Sequence, residues 1–333
     1  MKTVVVTGVG RFLGAHVASR LAADPGVGRV VGVENGPVPA ELDSRVAVVA
    51  ADLRSHDIAR AIADAEPEVV VHLGVVTSPQ GYPGGRAAMK EQNVIGTMQL
   101  LAACQQAPSV RKLVIRSSTA AYGASFRDPA VFTEETEPRE VPRGGFARDI
   151  LDIEGYVRGF RRRRPDVAAT VLRFVPFLSR AADTSLTRLF TRAAVPTVLG
   201  RDPRLQFLHL DDALEILHRS VSEDHPGTFN VAGPGVLTLS QAIRRAGRLG
   251  LPVVEQGVTL LPGISYDQAD LFVHGRVVDT TRLIKEYCFT PRSTAETFDD
   301  FLRAHQPGAL GRDRVVAAER AILDGIRRVR GAR

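Results

Sequence analysis

The sequence predicts an α/β fold: a doubly wound parallel sheet with helices on both faces, and a smaller lobe toward the C-terminus. Three observations carry this expectation. The chain opens on the β-branched run Val4-Val5-Val6, which breaks at Thr7-Gly8 and passes into helical apolar spacing over residues 12–21. Strand-like apolar runs then alternate with helical stretches as far as Arg173, the order in which parallel sheets are wound. Beyond Arg173 the pattern turns irregular, with Pro176 close behind, which marks a region of different build.

The first strand, turn and helix span residues 3–14, T-V-V-V-T-G-V-G-R-F-L-G. Backbone N–H groups in a Gly-bearing turn of this kind approach a pyrophosphate, and the helix start adds its dipole. With Gly8 and Gly14 as outer glycines the middle place holds Arg11, with Gly10 beside it. A second strand, Arg29–Val33, ends on Glu34, about 20 residues past the turn, where a carboxylate can accept hydrogen bonds from an adenosine ribose. That carboxylate would repel a 2′-phosphate, so NAD is expected rather than NADP. Arg11 weighs the other way, because a guanidinium there could pair with the same phosphate.

A Pro-rich loop (35–39) leads to a third strand, 46–50, which ends near Asp52 and Leu53. Residues 58–65 read as a helix and 69–73 as a fourth strand, running into Gly74 and a Gly/Pro loop, 77–85, that contains Tyr82. A helix over 87–106 carries N-V-I-G-T from Asn93, and a fifth strand, 113–116, leads into S-S-T-A-A-Y-G from Ser117. After a Glu- and Pro-rich loop come a helix over 146–163 and a strand over 168–173. Further on, helices are expected near 186–194 and over 211–221, a strand over 228–231, and a helix from Gln241 capped by Ser240. The divisions expected are 1–174 for the dinucleotide-binding sheet domain and 175–307 for the substrate lobe, with some elements returning to the sheet. Residues 308–333 read as a basic terminal helix with Val315, Ile322, Ile326 and Val329 apolar.

Composition excludes several classes. No stretch approaches the roughly 20 apolar residues of a membrane span. The chain begins directly in a strand, without a charged and then apolar leader, so a cytoplasmic protein is expected. Cys104 and Cys288 are too few and too isolated for a disulfide framework or a zinc site, and no metal is expected. The net charge is +6, with basic runs at Arg161–Arg164 and at Arg327, Arg328 and Arg330. They lack interleaved aromatics or a recognised motif, so solvated helix ends are favoured over a nucleic-acid site.

Taken together the motifs resemble those of the extended short-chain dehydrogenases/reductases, the NAD-dependent epimerase/dehydratase family. The Gly-rich turn, V-V-H-L-G from Val70, N-V-I-G-T, S-S-T-A-A-Y-G, Leu172-Arg173, F-L-H-L-D-D-A from Phe207, F-N-V-A-G from Phe229 and D-T-T-R from Asp279 follow in family order. With its T-G-x-x-R-F-L-G turn and D-I-E-G-Y-V-R segment (152–158), the chain looks most like actinobacterial UDP-glucose 4-epimerase-like members. The resemblance implies a Rossmann domain that holds NAD against Gly8, Gly10, Arg11, Phe12, Leu13 and Gly14. It adds Glu34, Asp52 and Leu53 on the adenosine side, and Leu73, Gly74, Asn93 and Ser117 further along. It also implies a small-molecule substrate and a homodimer paired through the helices that begin near Ala87 and Phe146.

The catalytic signature departs from the family. Counting back from Glu154, the usual Tyr-x-x-x-Lys positions hold Phe146 and Ile150. A phenol beside an ammonium shuttles a proton during hydride transfer; phenylalanine has none to give, and isoleucine cannot depress a pKa. Ser118 matches the family's catalytic Ser/Thr, and stands either as a substrate contact or as a structural strand-end serine. Tyr82 is either a surrogate acid or a loop-packing aromatic. Arg148 and Asp149 read as solvated, and His209 as a structural hydrogen-bonding histidine. Leu205 and Pro176 replace an Arg and an Asn that nucleotide-sugar enzymes often carry, which weakens a nucleoside-diphosphate site. Two functions therefore compete: an enzyme with a non-standard mechanism acting on a hydroxylated or carbonyl metabolite, and a catalytically silent NAD-binding scaffold or sensor.

Overall fold

The structure, a computed structural model, describes residues 1–80, 82–179, 185–192, 194–255 and 265–305. Strands β1 (Lys2–Thr7), β2 (Val27–Glu34), β3 (Val46–Ala50), β4 (Val69–His72), β5 (Lys112–Ser118) and β6 (Ala168–Phe174) form one sheet with a late strand, Gly227–Val231. The spatial order is late strand, β6, β5, β4, β1, β2, β3, and every neighbouring pair is parallel. The winding direction reverses between β1 and β4, and open sheets of this kind bind ligands in the crevice outside the strand ends at that reversal.

The unbroken valine run of β1 follows from burial on both faces. Val4 and Val6 join a cluster with Leu13, Val17 and Leu21 of α1 (Phe12–Ala22). Val5 faces the opposite way, into a cluster with Ile58 and Ile62 of α2 (Asp57–Ala65) and Leu100. All three valines are fully buried, each contributing roughly 1.5–3 kcal/mol of transfer free energy. A third apolar cluster lies past β6 in sequence, built on Leu189, Phe190, Leu205, Phe207, Phe298 and Phe301. Phe190 meets Phe298 edge to face with centroids 5.1 Å apart, and Phe207 stacks on Phe298 at 5.7 Å.

Several elements differ from expectation. The helix expected over 87–106 starts at Gly85 and is split by a π-helical turn, Glu91–Ile95, between α3 (Gly85–Lys90) and α4 (Gly96–Gln106). The helix expected to reach Ala194 ends at Thr191; Ala194–Val198 is a strand paired with Leu249–Val253, some fifty residues away. Ser240 is not the cap of its helix: Thr238 caps it in a capping box with Gln241, while Ser240 binds Asp202. The run Arg161–Arg164 ends α5 (Gly145–Arg163), and two of its four guanidiniums are not solvated. Arg161 donates to the carbonyls of Ala169 and Gly227, and Arg164 to those of Cys104 and Ala107, where the α4 carbonyls run out. The basic helix expected over 308–333 lies outside the described residues. Among the described residues no helix is long and apolar enough to cross a membrane, and no metal-binding group of side chains occurs.

Candidate functional site

The turn after β1 is locked by close backbone approach. Gly8 has φ +79°, and a Cβ there would stand 2.7 Å from the Gly74 Cα, so the turn and the end of β4 can touch only through glycine. The Gly8 N–H donates to the Val33 carbonyl at 3.0 Å, and the Arg11 N–H back to the Gly8 carbonyl at 3.1 Å. The first α1 hydrogen bond, from the Ala15 N–H, goes to the Arg11 carbonyl. Helix α1 has no side-chain cap and no acidic residue in its first turn. The N–H groups of Phe12, Leu13 and Gly14 therefore end the helix without intrahelical partners, the donor set that binds phosphate oxygens.

A cleft of about 590 Å³ opens over this turn, lined among others by Gly8, Gly10, Arg11, Glu34, Leu53 and Gly74. That volume suits a large organic ligand. Glu34 sits at its floor: one carboxylate oxygen accepts the Gly10 N–H at 2.9 Å and the other the N–H groups of Asn35 (3.0 Å) and Gly36 (3.3 Å). Three backbone donors thus hold the carboxylate in place. Asp52 is not on the cleft wall; Arg54 grips its carboxylate at 2.7 and 2.9 Å, which holds it below the usual carboxylate range. Leu13 and Leu73 belong to the apolar core, and Phe12 lies half out in solvent against His16. Tyr82 lines the cleft with its ring 5.5 Å from the Arg11 guanidinium carbon.

Beyond the ends of β4 and β5 lies a second, smaller cavity of about 190 Å³. Its walls include Arg116, Ser117, Ser118, Phe146, Ile150, Phe174, Pro176, Phe177, Asp267 and Arg276, and its surface is mostly apolar. Ser118 and the Phe146/Ile150 pair thus share one cavity, while Tyr82 is not on its wall. The Ser118 hydroxyl accepts the Ala120 N–H at 3.2 Å and so also caps the turn Thr119–Tyr122. Ser117 points to the opposite face of β5, where its hydroxyl donates to Glu154 at 2.5 Å. Glu154 in turn holds Arg173 at 2.6 and 2.9 Å, and Arg173 reaches the Tyr122 hydroxyl at 2.9 Å. Neither charge is solvated, so each depends on the other.

The placement of α5 against this cavity rests on partners that sequence reading missed. Asp149, expected in solvent, is fully buried, and Arg86 clasps it at 2.5 and 2.7 Å. The reason lies in the π-turn, which brings the Asn93 amide to 3.0 Å from the same carboxylate. Asn93 also pairs with both backbone groups of Val76, at 2.7 and 2.9 Å, and so ties the loop after β4 to α5. Arg148 does face solvent. Asp267, from the helix Tyr266–His274, caps α5 by accepting the N–H groups of Ala147 (2.9 Å) and Phe146 (3.4 Å), and burial pushes its pKa up. Nothing in the local sequence marks a capping residue 120 positions downstream. His209 accepts the Asp211 N–H at 3.2 Å and starts the helix Leu210–Ser222.

A model of the NAD dependent epimerase/dehydratase family matches residues 4–232. The chain belongs to that family. It is 44% identical over 316 residues to an uncharacterized protein of Mycobacterium tuberculosis, covering 91% of this chain and 84% of that one. It is 31% identical over 270 residues to UDP-glucose 4-epimerase of Mycolicibacterium smegmatis, covering 76% and 84%. The epimerase/dehydratase fold recurs in UDP-glucose 4-epimerase of Thermotoga maritima solved with UDP-glucose, at TM-score 0.73 and 18% identity over 91% of this chain and 98% of that one. It recurs also in MoeE5 in complex with UDP-glucuronic acid and NAD, at TM-score 0.72 and 20% identity over 91% and 98%. The extended short-chain dehydrogenase/reductase architecture expected from the motifs is thus shown.

Proposed function

We propose that this member of the epimerase/dehydratase family binds NAD in the cleft over Gly8 and transforms a small hydroxylated or carbonyl metabolite without the usual Tyr/Lys pair. The observation that carries this reading is the juxtaposition of two spaces at one end of the sheet. One has the uncapped α1 N-terminus and the Glu34 carboxylate; the other ends at the Ser118 hydroxyl. The donors and volume of the cleft fit a dinucleotide: phosphates at the N–H groups of Phe12, Leu13 and Gly14, an adenosine ribose at Glu34. When bound, NAD supplies a hydride acceptor, or as NADH a donor. Glu34 favours a free 2′-hydroxyl over a 2′-phosphate by charge. Phe146 and Ile150, at the positions of the family's Tyr and Lys, make their part of the cavity dry and apolar. Ser118 is left to donate a hydrogen bond to a substrate oxygen.

Leu205, fully buried among the rings of the third cluster, and Pro176, on the cavity wall, stand where nucleotide-sugar enzymes place polar side chains. Their chemistry argues against a nucleoside diphosphate as the handle. Isothermal titration with NAD, NADP and UDP-glucose tests the reading: NAD binds and NADP binds more weakly. Turnover of hydroxy or carbonyl substrates, read at 340 nm, falls about a hundredfold or more in Ser118→Ala. A second reading is supported by the same apolar wall: a family member that holds NAD and does no chemistry. NAD binding without turnover of any substrate, and without effect of Ser118→Ala, supports that one.

A further inference from the structure

Arg116 is the unexplained charge of the second cavity. It sits on β5 two residues before Ser118, so both side chains leave the strand on the same face, about 7 Å apart along the backbone. It lines the small cavity and not the dinucleotide cleft, whereas Arg11 lines the cleft and not the cavity. Among the described residues no carboxylate or carbonyl oxygen reaches its guanidinium; its one close partner is the face of Phe177, 5.7 Å from the guanidinium carbon. Burial, and then the like charge of Arg11, push its pKa down to about 10, so it keeps its proton at neutral pH. A second guanidinium, Arg276, shares the cavity wall and is only 8% exposed. Its Nη2 donates to the Gly123 carbonyl at 2.7 Å, but its Nε has no hydrogen-bond partner among the described residues. Asp267 also lines the cavity, its carboxylate engaged in capping α5, and with Asp270 and Asp128 it offsets the charge of Arg276, which leaves Arg116 as the guanidinium with no carboxylate beside it among the described residues.

Holding a guanidinium in a mostly apolar cavity without an anion is costly, and an anion brought by a ligand offsets that cost. We propose that the cavity takes a small substrate bearing an acid group, a carboxylate or a phosphate monoester, which Arg116 binds head-on and the Nε of Arg276 supplements. Arg–carboxylate and Arg–phosphate pairs are the strong, oriented members of their class. With the acid on Arg116, a hydroxyl or carbonyl carbon a few bonds away lies next to Ser118, the geometry of a small hydroxy or oxo acid. A volume of about 190 Å³ agrees with such a ligand. The inference rests on the reading of this cavity as the substrate site.

The test uses the full chain with NAD present and three probes: malonate for a carboxylate, inorganic phosphate for a phosphate, and glycerol as the neutral control. Malonate or phosphate binds by titration calorimetry and glycerol does not, the better acid naming the group. Arg116→Gln weakens that binding about tenfold or more and leaves the NAD affinity unchanged, and Arg116→Lys restores part of it. Because no described residue compensates Arg116, Arg116→Gln also melts at the same temperature as the parent or higher. Three results overturn the proposal: acids binding no better than glycerol, a loss of NAD affinity in Arg116→Gln, which reassigns the guanidinium to the cofactor's phosphates, or a variant that unfolds, which makes it structural. Titration of the parent protein with NAD alone is independent of all three, so a failure of the cofactor reading is separately visible.

Discussion

Glu34 shows how much one side chain decides at the residue scale. Its two oxygens accept three backbone N–H groups, from Gly10, Asn35 and Gly36, so it shapes the turn as well as lining the cleft. Charge-assisted bonds of this kind are worth about 1.5–3 kcal/mol each. Glu34→Ala is therefore expected to weaken NAD by about tenfold to a hundredfold and to erase the preference over NADP. Calorimetric titration with both dinucleotides checks this, and an unchanged ratio refutes it. His72 makes a second case. It is fully buried between Thr7 (2.7 Å) and Thr97 (2.9 Å), and burial first, then the Arg116 charge, hold its pKa down to about 4 against an ordinary 6.5. Between those values the unfolded chain binds a proton that the folded chain refuses. Its contribution to stability is thus complete above about pH 6.5 and declines by up to about 3 kcal/mol as pH falls toward 4. Urea midpoints of the parent and of His72→Gln should diverge in slope over that window; parallel slopes would disprove the assignment.

At the scale of elements, the Gly-rich turn and the helix behind it form one unit. A Cβ on Gly14 would collide with the Gly8 carbonyl oxygen, a backbone atom that cannot move without opening the turn. A Cβ on Gly155, inside α5, would meet only the end of the Arg158 side chain at 3.8 Å. Gly14→Ala is expected to cost about 2 kcal/mol or more from overpacking and to abolish NAD binding. Gly155→Ala is expected to gain about 0.5–1 kcal/mol of helix propensity and to leave binding alone. Thermal melts of the two variants, each with and without NAD, decide the matter. The strand-turn-helix was readable from residues because it is local: a valine run, two glycines and helical spacing all fall within 20 positions. The capping of α5 by Asp267 and the clasp of Asp149 by Arg86 were not readable, because each joins elements about 120 and 63 positions apart.

At the scale of the whole molecule, pairing of two copies is the expectation carried over from family resemblance. The outer face of the π-turn and α4 leaves Ile95 and Met98 each 37% exposed, three positions apart and so on one side. We propose that this face meets its symmetry mate in an isologous dimer. Light scattering is expected to give twice the chain mass of 35.9 kDa, and the double variant Ile95→Glu with Met98→Glu to give the chain mass. A monomer in the parent protein at micromolar concentration refutes it.

The sequence by itself determined the parallel sheet, the succession of its strands along the chain up to β6 and the location of the Gly-rich turn. These follow from periodicity, β-branched runs and glycine placement, which act over a turn or a strand. It also marked Ser118, Phe146 and Ile150 as belonging together, through the order of motifs. Only the tertiary structure decided that these three share a cavity with the Arg116 guanidinium, that Tyr82 lies across the boundary in the other cleft, and that Asp149 is buried. Burial and charge pairing depend on which distant elements the fold brings within a few ångströms, and no local pattern in a single chain records that distance.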